Sequence, residues 1–307
     1  MKFGDKSFYS LDYFFKNKFD QKIIKISIDA GFTCPNRDGT LSDKGCIFCS
    51  DKGASEFAFS NFSITEQFNM YKEFVSKKWK NAKYMPYFQA YTNTYDTIEN
   101  LRAKYYKALS FSDVVGLSIA TRPDCLNDDV LELLSEISKK TFLMVELGFQ
   151  TSNEKSIKFI NRCYKNEVYL KAVKQLKNIG ANVVTHIILG LPFETKDNMQ
   201  NTLNYVLDAG TNGIKFHLLY ILKNTPLGHM YENGQITTLN FDEYITLVVD
   251  LIEKTPQDVV IHRLTGDAPR DDLLAPLYSI KKFHILNAID KEFIKRNTFQ
   301  GKFYLHY

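Results

Sequence analysis

Hydrophobic residues along the chain fall into two alternating rhythms. Short apolar runs of the strand kind occur at 23–28, 84–91, 114–120, 142–149, 183–189 and 213–219. Between them, apolar residues recur three and four positions apart, the helical spacing. These segments are 65–81, 98–109, a stretch capped by Asn127 that runs to 138, the pair 154–159 and 167–178, and a stretch capped by Thr195 that runs to 207. A short aromatic helix at 11–18 precedes the first strand. The strands are near-continuously apolar, as expected when helices cover both faces of a parallel sheet. Six such repeats without a linker predict an α/β fold: a partial (β/α)6 TIM-like barrel over residues 1–221. An α-rich C-terminal extension, 222–307, is expected to pack on the barrel and contact substrate.

Function in such folds gathers at the C-terminal ends of the strands. A polar, glycine-rich loop, 31–50, follows strand one, and Gln89 to Thr94 follow strand two. Thr121-Arg122-Pro123-Asp124 ends strand three, Gln150-Thr151-Ser152 strand four and Gly190-Leu191-Pro192-Phe193-Glu194 strand five. His217 and Tyr220 end strand six. All are expected to face one cavity.

Composition sets the class. The 307 residues are 44% hydrophobic and 24% charged, as in a globular protein with a large core. There is no apolar N-terminal run of the signal-peptide kind and no stretch near the ~20 apolar residues of a membrane helix, so a cytoplasmic protein without a membrane partner is expected. The net charge of +4 permits nucleic-acid binding without requiring it.

Three of the five cysteines, Cys34, Cys46 and Cys49, lie in the first strand-end loop as Cys-x11-Cys-x2-Cys. Reducing surroundings favour metal binding over disulfides, and a closed zinc site wants four ligands. Three thiolates on a cluster of four irons leave one iron open to a small molecule. A zinc site closed by a distant residue is the alternative.

The stretches Thr33 to Thr40, Tyr87 to Thr94, Gly116 to Asp124 and Leu274 to Leu277 resemble the radical S-adenosylmethionine (radical SAM) superfamily, and within it the YhcC/YtqA-like family, over essentially the full length. Thr121 to Asp124, Glu146 to Gln150 and Asn161-Arg162 are also similar to the radical SAM half of the Elongator catalytic subunit. Most of the superfamily spaces its cysteines Cys-x3-Cys-x2-Cys; the longer first spacer here is typical of these two groups.

The resemblance implies that Cys34, Cys46 and Cys49 ligate a 4Fe-4S cluster, whose fourth iron takes the amine and carboxylate of SAM. One electron would then cleave SAM to a 5'-deoxyadenosyl radical. It further implies cofactor contacts at Phe48 near the adenine, at Gln89 and Thr92 near the SAM amine, and at Gln150 and Arg162, with Gly190 in an adenine-contacting turn. Ser118 has two readings, a SAM hydrogen bond or a local one. Glu146 and His186, also expected among the cofactor-binding residues, fall inside apolar strands, where a carboxylate needs a partner and a histidine is either a core residue or a cavity residue. Lys215 and His217 share a strand face and, with Arg263 and Arg270, are the candidates for catalytic residues.

The substrate implied is tRNA, with conversion of wobble 5-carboxymethylaminomethyluridine to 5-aminomethyluridine. A flavodoxin or ferredoxin would supply electrons, and a separate SAM-dependent methyltransferase would act downstream. Arg263 or Arg270 would hold the substrate carboxylate. Lysines at 77, 78, 80 and 83 and an aromatic content of 14% suit RNA, though a solvated basic face has the same composition. The alternatives are a radical SAM enzyme for another RNA or a small molecule, and a zinc- or cluster-bearing RNA-binding module without turnover.

Overall fold

A computed structural model describes residues 3–50, 61–266 and 268–304. Helix α1 (Leu11–Phe19) leads into β1 (Ile23–Ile28), α2 (Ile64–Ser76), β2 (Lys83–Phe88), α3 (Ile98–Leu109), β3 (Gly116–Thr121) and α4 (Asp128–Lys140). Then come β4 (Phe142–Gln150), α5 (Glu154–Phe159), α6 (Asn166–Asn178), β5 (Asn182–Leu189), α7 (Lys196–Asp208) and β6 (Gly213–Leu218). The C-terminal part holds β7 (Ile221–Leu222), α8 (Pro226–Glu232), α9 (Phe241–Glu253), β8 (Val260–Arg263), β9 (Leu273–Ala275) and α10 (Lys282–Lys295).

Seven strands pair in parallel in the order β1-β2-β3-β4-β5-β6-β8, forming a curled half-barrel, while β7 and β9 make a small antiparallel pair. The expected TIM-like α/β fold is present, with one strand more than the six anticipated. Strand β8 comes from the helix-rich C-terminal part and is only four residues long, too short to stand out beside α9. Its register puts Lys215 of β6 opposite Arg263. Strand β2 stops at Phe88 rather than 91, because Ala90 and Tyr91 take left-handed φ values of 82° and 58° and leave the ladder. Helix α2 stops at Ser76, five residues short of its expected end.

Alternate residues of the strands separate the two faces. Ile26, Phe88, Ile119, Val145, Leu147, Ile187 and Phe216 face the helical layer in the main apolar core. On the other face, Met85, Met144 and Val184, near the strand starts, pack with Phe15 of α1 and with Phe14, Phe19 and Phe142 around it. Helix α1 thus stoppers the N-terminal end of the barrel. Ser10 fixes its start by accepting the Tyr13 amide. Among the described residues no helix is long and apolar enough to cross a membrane.

Candidate active site

One layer above that apolar plug, the inward positions turn polar. Lys25 on β1, Tyr87 on β2, Ser118 on β3, Glu146 on β4, His186 on β5 and Lys215 on β6 meet inside the barrel. Glu146 is fully buried and organises the layer. Its Oε1 is held by Lys25 and by the Ser118 hydroxyl at 2.8 Å; its Oε2 is held by Lys215 and by His186 Nε2 at 2.8 Å. Lys25 also donates to Ser118 at 2.9 Å and lies 3.8 Å from the centre of the Tyr87 ring. Lys215 reaches the Tyr87 hydroxyl at 3.2 Å.

Burial alone would raise the Glu146 carboxyl, but Lys215, Lys25 and the bond from His186 outweigh it and hold the carboxyl well below its usual range. Burial pulls Lys215 down to about 7 against the attraction of Glu146, with Lys25 and Arg263 adding repulsion. Burial, then the charge of Lys215, lowers His186 to about 4. Burial, then His186, depresses His217 as well, so both imidazoles are neutral at pH 7. Their rings lie 5.0 Å apart.

Above this layer the cavity opens toward the cysteine loop. Cys34, Cys46, Cys49 and Phe48 line it together with Gln89, Thr92, Glu146, Gln150, His186, Lys215, His217 and Arg263. These expected residues are therefore brought together. Ser118, Arg162, Gly190 and Arg270 are not among the lining residues.

Arg162 is 1% exposed, and all five of its N–H donors are used. They bond the carbonyls of Phe149 at 2.8 Å, Thr151 at 2.7 Å and Tyr164 at 3.2 and 3.0 Å, and Asn166 Oδ1 at 2.8 Å. Its expected fork to a SAM carboxylate has no donor left; the arginine ties the end of β4 to the α5–α6 connection. Ser118 takes the local reading, between Lys25 and Glu146. Gly190 packs beneath Leu239, where an added Cβ would come within 3.1 Å of that side chain. Arg270 is exposed.

A bulge in the β4–β5 pairing between Gly148 and Gln150, with φ +67° at Gln150, turns the Gln150 side chain over Gly148 and into the cavity. A Cβ on Gly148 would stand 2.9 Å from Gln150 Nε2, so a glycine fits there and a larger residue displaces the glutamine.

Sequence reasoning gave several lining or supporting side chains no individual role, although Arg122 was among the strand-end residues expected at the cavity, which it lines. Asn36 donates to Cys46 Sγ at 3.4 Å and to the Asn161 carbonyl at 2.6 Å. Arg122, in the strand-three motif, makes a two-point bond to Asp124 at 2.9 and 2.7 Å and a third to the Arg162 carbonyl at 2.9 Å. The Cys46 thiol is drawn down to about 7 by its bond with Cys49 against burial, helped by Arg122, Asn36 and Arg162. Lys25 carried one legible signal, a lysine inside an isoleucine run.

Three comparisons bear on this arrangement. The model of the Radical SAM superfamily matches residues 34–206, and that of the Radical_SAM C-terminal domain matches 211–295. The chain is 44% identical to YtqA of Bacillus subtilis over 301 residues, 98% of this chain and 94% of that one. The chain belongs to the radical SAM superfamily. It is also 34% identical to YhcC of Escherichia coli, over 92% of this chain and 91% of the relative. Among solved structures, the archaeal Methanocaldococcus infernus Elp3 shares the fold with a TM-score of 0.70 at 17% identity, covering 91% of this chain and 64% of that one.

Radical SAM proteins use a 4Fe-4S cluster and SAM, and this cavity fits both. Its three thiols line it together and do not converge on a single-ion site among the described residues. Three of the lining residues also carry a buried polar atom without a hydrogen-bond partner: Thr92 Oγ1, Gln150 Oε1 and His217 Nε2. Unpartnered buried polar atoms are costly in a finished interior, and a polar ligand satisfies them.

Proposed function

We propose that this radical SAM enzyme modifies tRNA, converting wobble 5-carboxymethylaminomethyluridine to 5-aminomethyluridine. The observation that carries the chemistry is the cavity itself. Three thiols stand at its mouth, unpartnered polar atoms along its wall, and a lysine–glutamate layer at its floor. Cys34, Cys46 and Cys49 would hold the cluster, and Gln89, Thr92 and Gln150 would meet SAM, with Phe48 against its adenine. When bound, the two cofactors supply an abstractor of hydrogen atoms. The methylene beside the substrate carboxylate is the abstraction site. Loss of one hydrogen atom to that abstractor, of one electron to a one-electron acceptor such as an oxidised iron–sulfur cluster, and of the N–H proton to solvent would leave an imine, which addition of water splits into the aminomethyl group and glyoxylate. The wobble assignment is supported by the stretches shared with the Elongator radical SAM half.

The test is an anaerobic reaction of reduced holoenzyme with SAM and tRNA carrying the carboxymethylaminomethyl group. Release of 5'-deoxyadenosine with appearance of 5-aminomethyluridine and glyoxylate is expected. An unchanged wobble nucleoside, together with unchanged nucleosides in a deletion strain, sinks the wobble reading. A protein that purifies without iron or sulfide sinks the radical one.

A further inference from the structure

The polar layer is unbalanced in charge. Glu146 is one carboxylate shared by two lysines, and the two are not equivalent. Lys25 and Ser118 hold Oε1 from behind, outside the cavity lining, whereas Lys215 holds Oε2 and lines the cavity. Lys25 already neutralises the carboxylate. Lys215 is therefore a surplus cation, 7% exposed, at the closed end of a cavity that opens at the thiols. Arg263, its register partner on β8, adds positive charge to the same wall. The other titratable groups around it, Tyr87, His186, His217 and, on β8, His262, bring no negative charge at neutral pH. The buried His217 Nε2 lacks a hydrogen-bond partner. A neutral imidazole offers one N–H donor, and a carboxylate accepts it beside an ammonium group.

We propose that the floor of this cavity is an anion subsite, where Lys215 and His217 seat a carboxylate of the substrate. This deepens the wobble reading, on which only the identity of the carboxylate rests. It also replaces Arg270 in the carboxylate-holding role with a buried lysine. The seat fixes the far end of the substituent on the barrel axis and leaves the adjoining methylene on the side of the thiols. An incoming anion favours the charged lysine, so binding raises the midpoint of Lys215 from about 7. Above that midpoint the unliganded amine is neutral, and affinity for the carboxylate falls.

Two measurements on the anaerobic holoenzyme test this. In the first, carbon-13-labelled lysines are titrated by NMR with acetate or with neutral acetamide, the Lys215 signal being assigned by its loss in Lys215→Arg. Acetate is expected to raise the Lys215 midpoint and acetamide to leave it. In the second, an anticodon stem-loop carrying the acid is compared with the same loop carrying its methyl ester. The acid is expected to bind about tenfold tighter or better, with the ratio lost in Lys215→Met and partly kept in Lys215→Arg. An unmoved midpoint with equal binding of acid and ester overturns the subsite, as does a ratio that survives Lys215→Met in a protein that melts normally. A midpoint moved by acetate with equal binding of the two loops supports the subsite and overturns the wobble assignment instead.

Discussion

Removing Glu146 would leave Lys25 and Lys215 facing each other in a buried layer without a counter-charge. A buried ion pair broken on one side costs about 3–5 kcal/mol, whereas replacing all partners by apolar residues of similar size is often neutral. Glu146→Gln is therefore expected to lower the melting temperature steeply, and the triple change Lys25→Met, Glu146→Leu, Lys215→Met to recover most of it; calorimetry decides. Lys215 also leaves a signature in pH. Its folded value of about 7 lies below the ordinary 10.5, so between those values the unfolded chain holds a proton that the folded chain lacks. Its contribution to stability rises with pH across that window, and Lys215→Met should flatten the slope of unfolding free energy against pH. Arg162 makes a further case. Lysine cannot supply five fixed donors, and each buried carbonyl left unpaired costs about 1–3 kcal/mol, so Arg162→Lys should destabilise strongly in urea titrations. The sequence suggested that a buried Glu146 needs partners and that Lys215 and His217 share a face. It did not reveal Lys25 or the saturation of Arg162, because both depend on which residues the sheet and the α5–α6 connection bring alongside.

Strands and helices were the most legible level. Continuous apolar runs, and caps such as Asn127 and Thr195, placed the elements of the barrel within a few residues. What the pattern could not show was where a strand breaks its own rule. Ala90, Tyr91 and Gln150 are not glycine, yet they take left-handed backbone angles at the strand ends that line the cavity. Such angles cost energy and persist where surroundings enforce them, often at functional sites. Gly148→Ala tests the β4 bulge. The displaced atom is the far end of a flexible side chain, so stability should change by less than about 1 kcal/mol, while SAM binding by calorimetry should weaken through the displaced Gln150.

At the scale of the whole molecule, the two ends of the chain are joined beside the seventh strand. Gln300 is fully buried; its side chain accepts from the Tyr9 amide at 2.7 Å and donates to the carbonyls of Pro256 at 2.5 Å and Val259 at 2.8 Å. Its backbone donates to Ser7, and Ile261 of β8 donates to Tyr9. Ending the chain before Gln300 is expected to lower the melting temperature by several degrees and to loosen β8, read as faster amide exchange at Ile261. These long-range bonds leave no periodic trace in sequence, which is why β8 was not expected.

The aromatic stopper on the N-terminal end has a kinetic consequence. With Phe14, Phe15 and Phe19 closing one end, protons reach Lys215 and the two histidines through the mouth beside the thiols. Whatever occupies that mouth then acts as a valve on solvent. Deuterium uptake at the floor should slow when SAM binds.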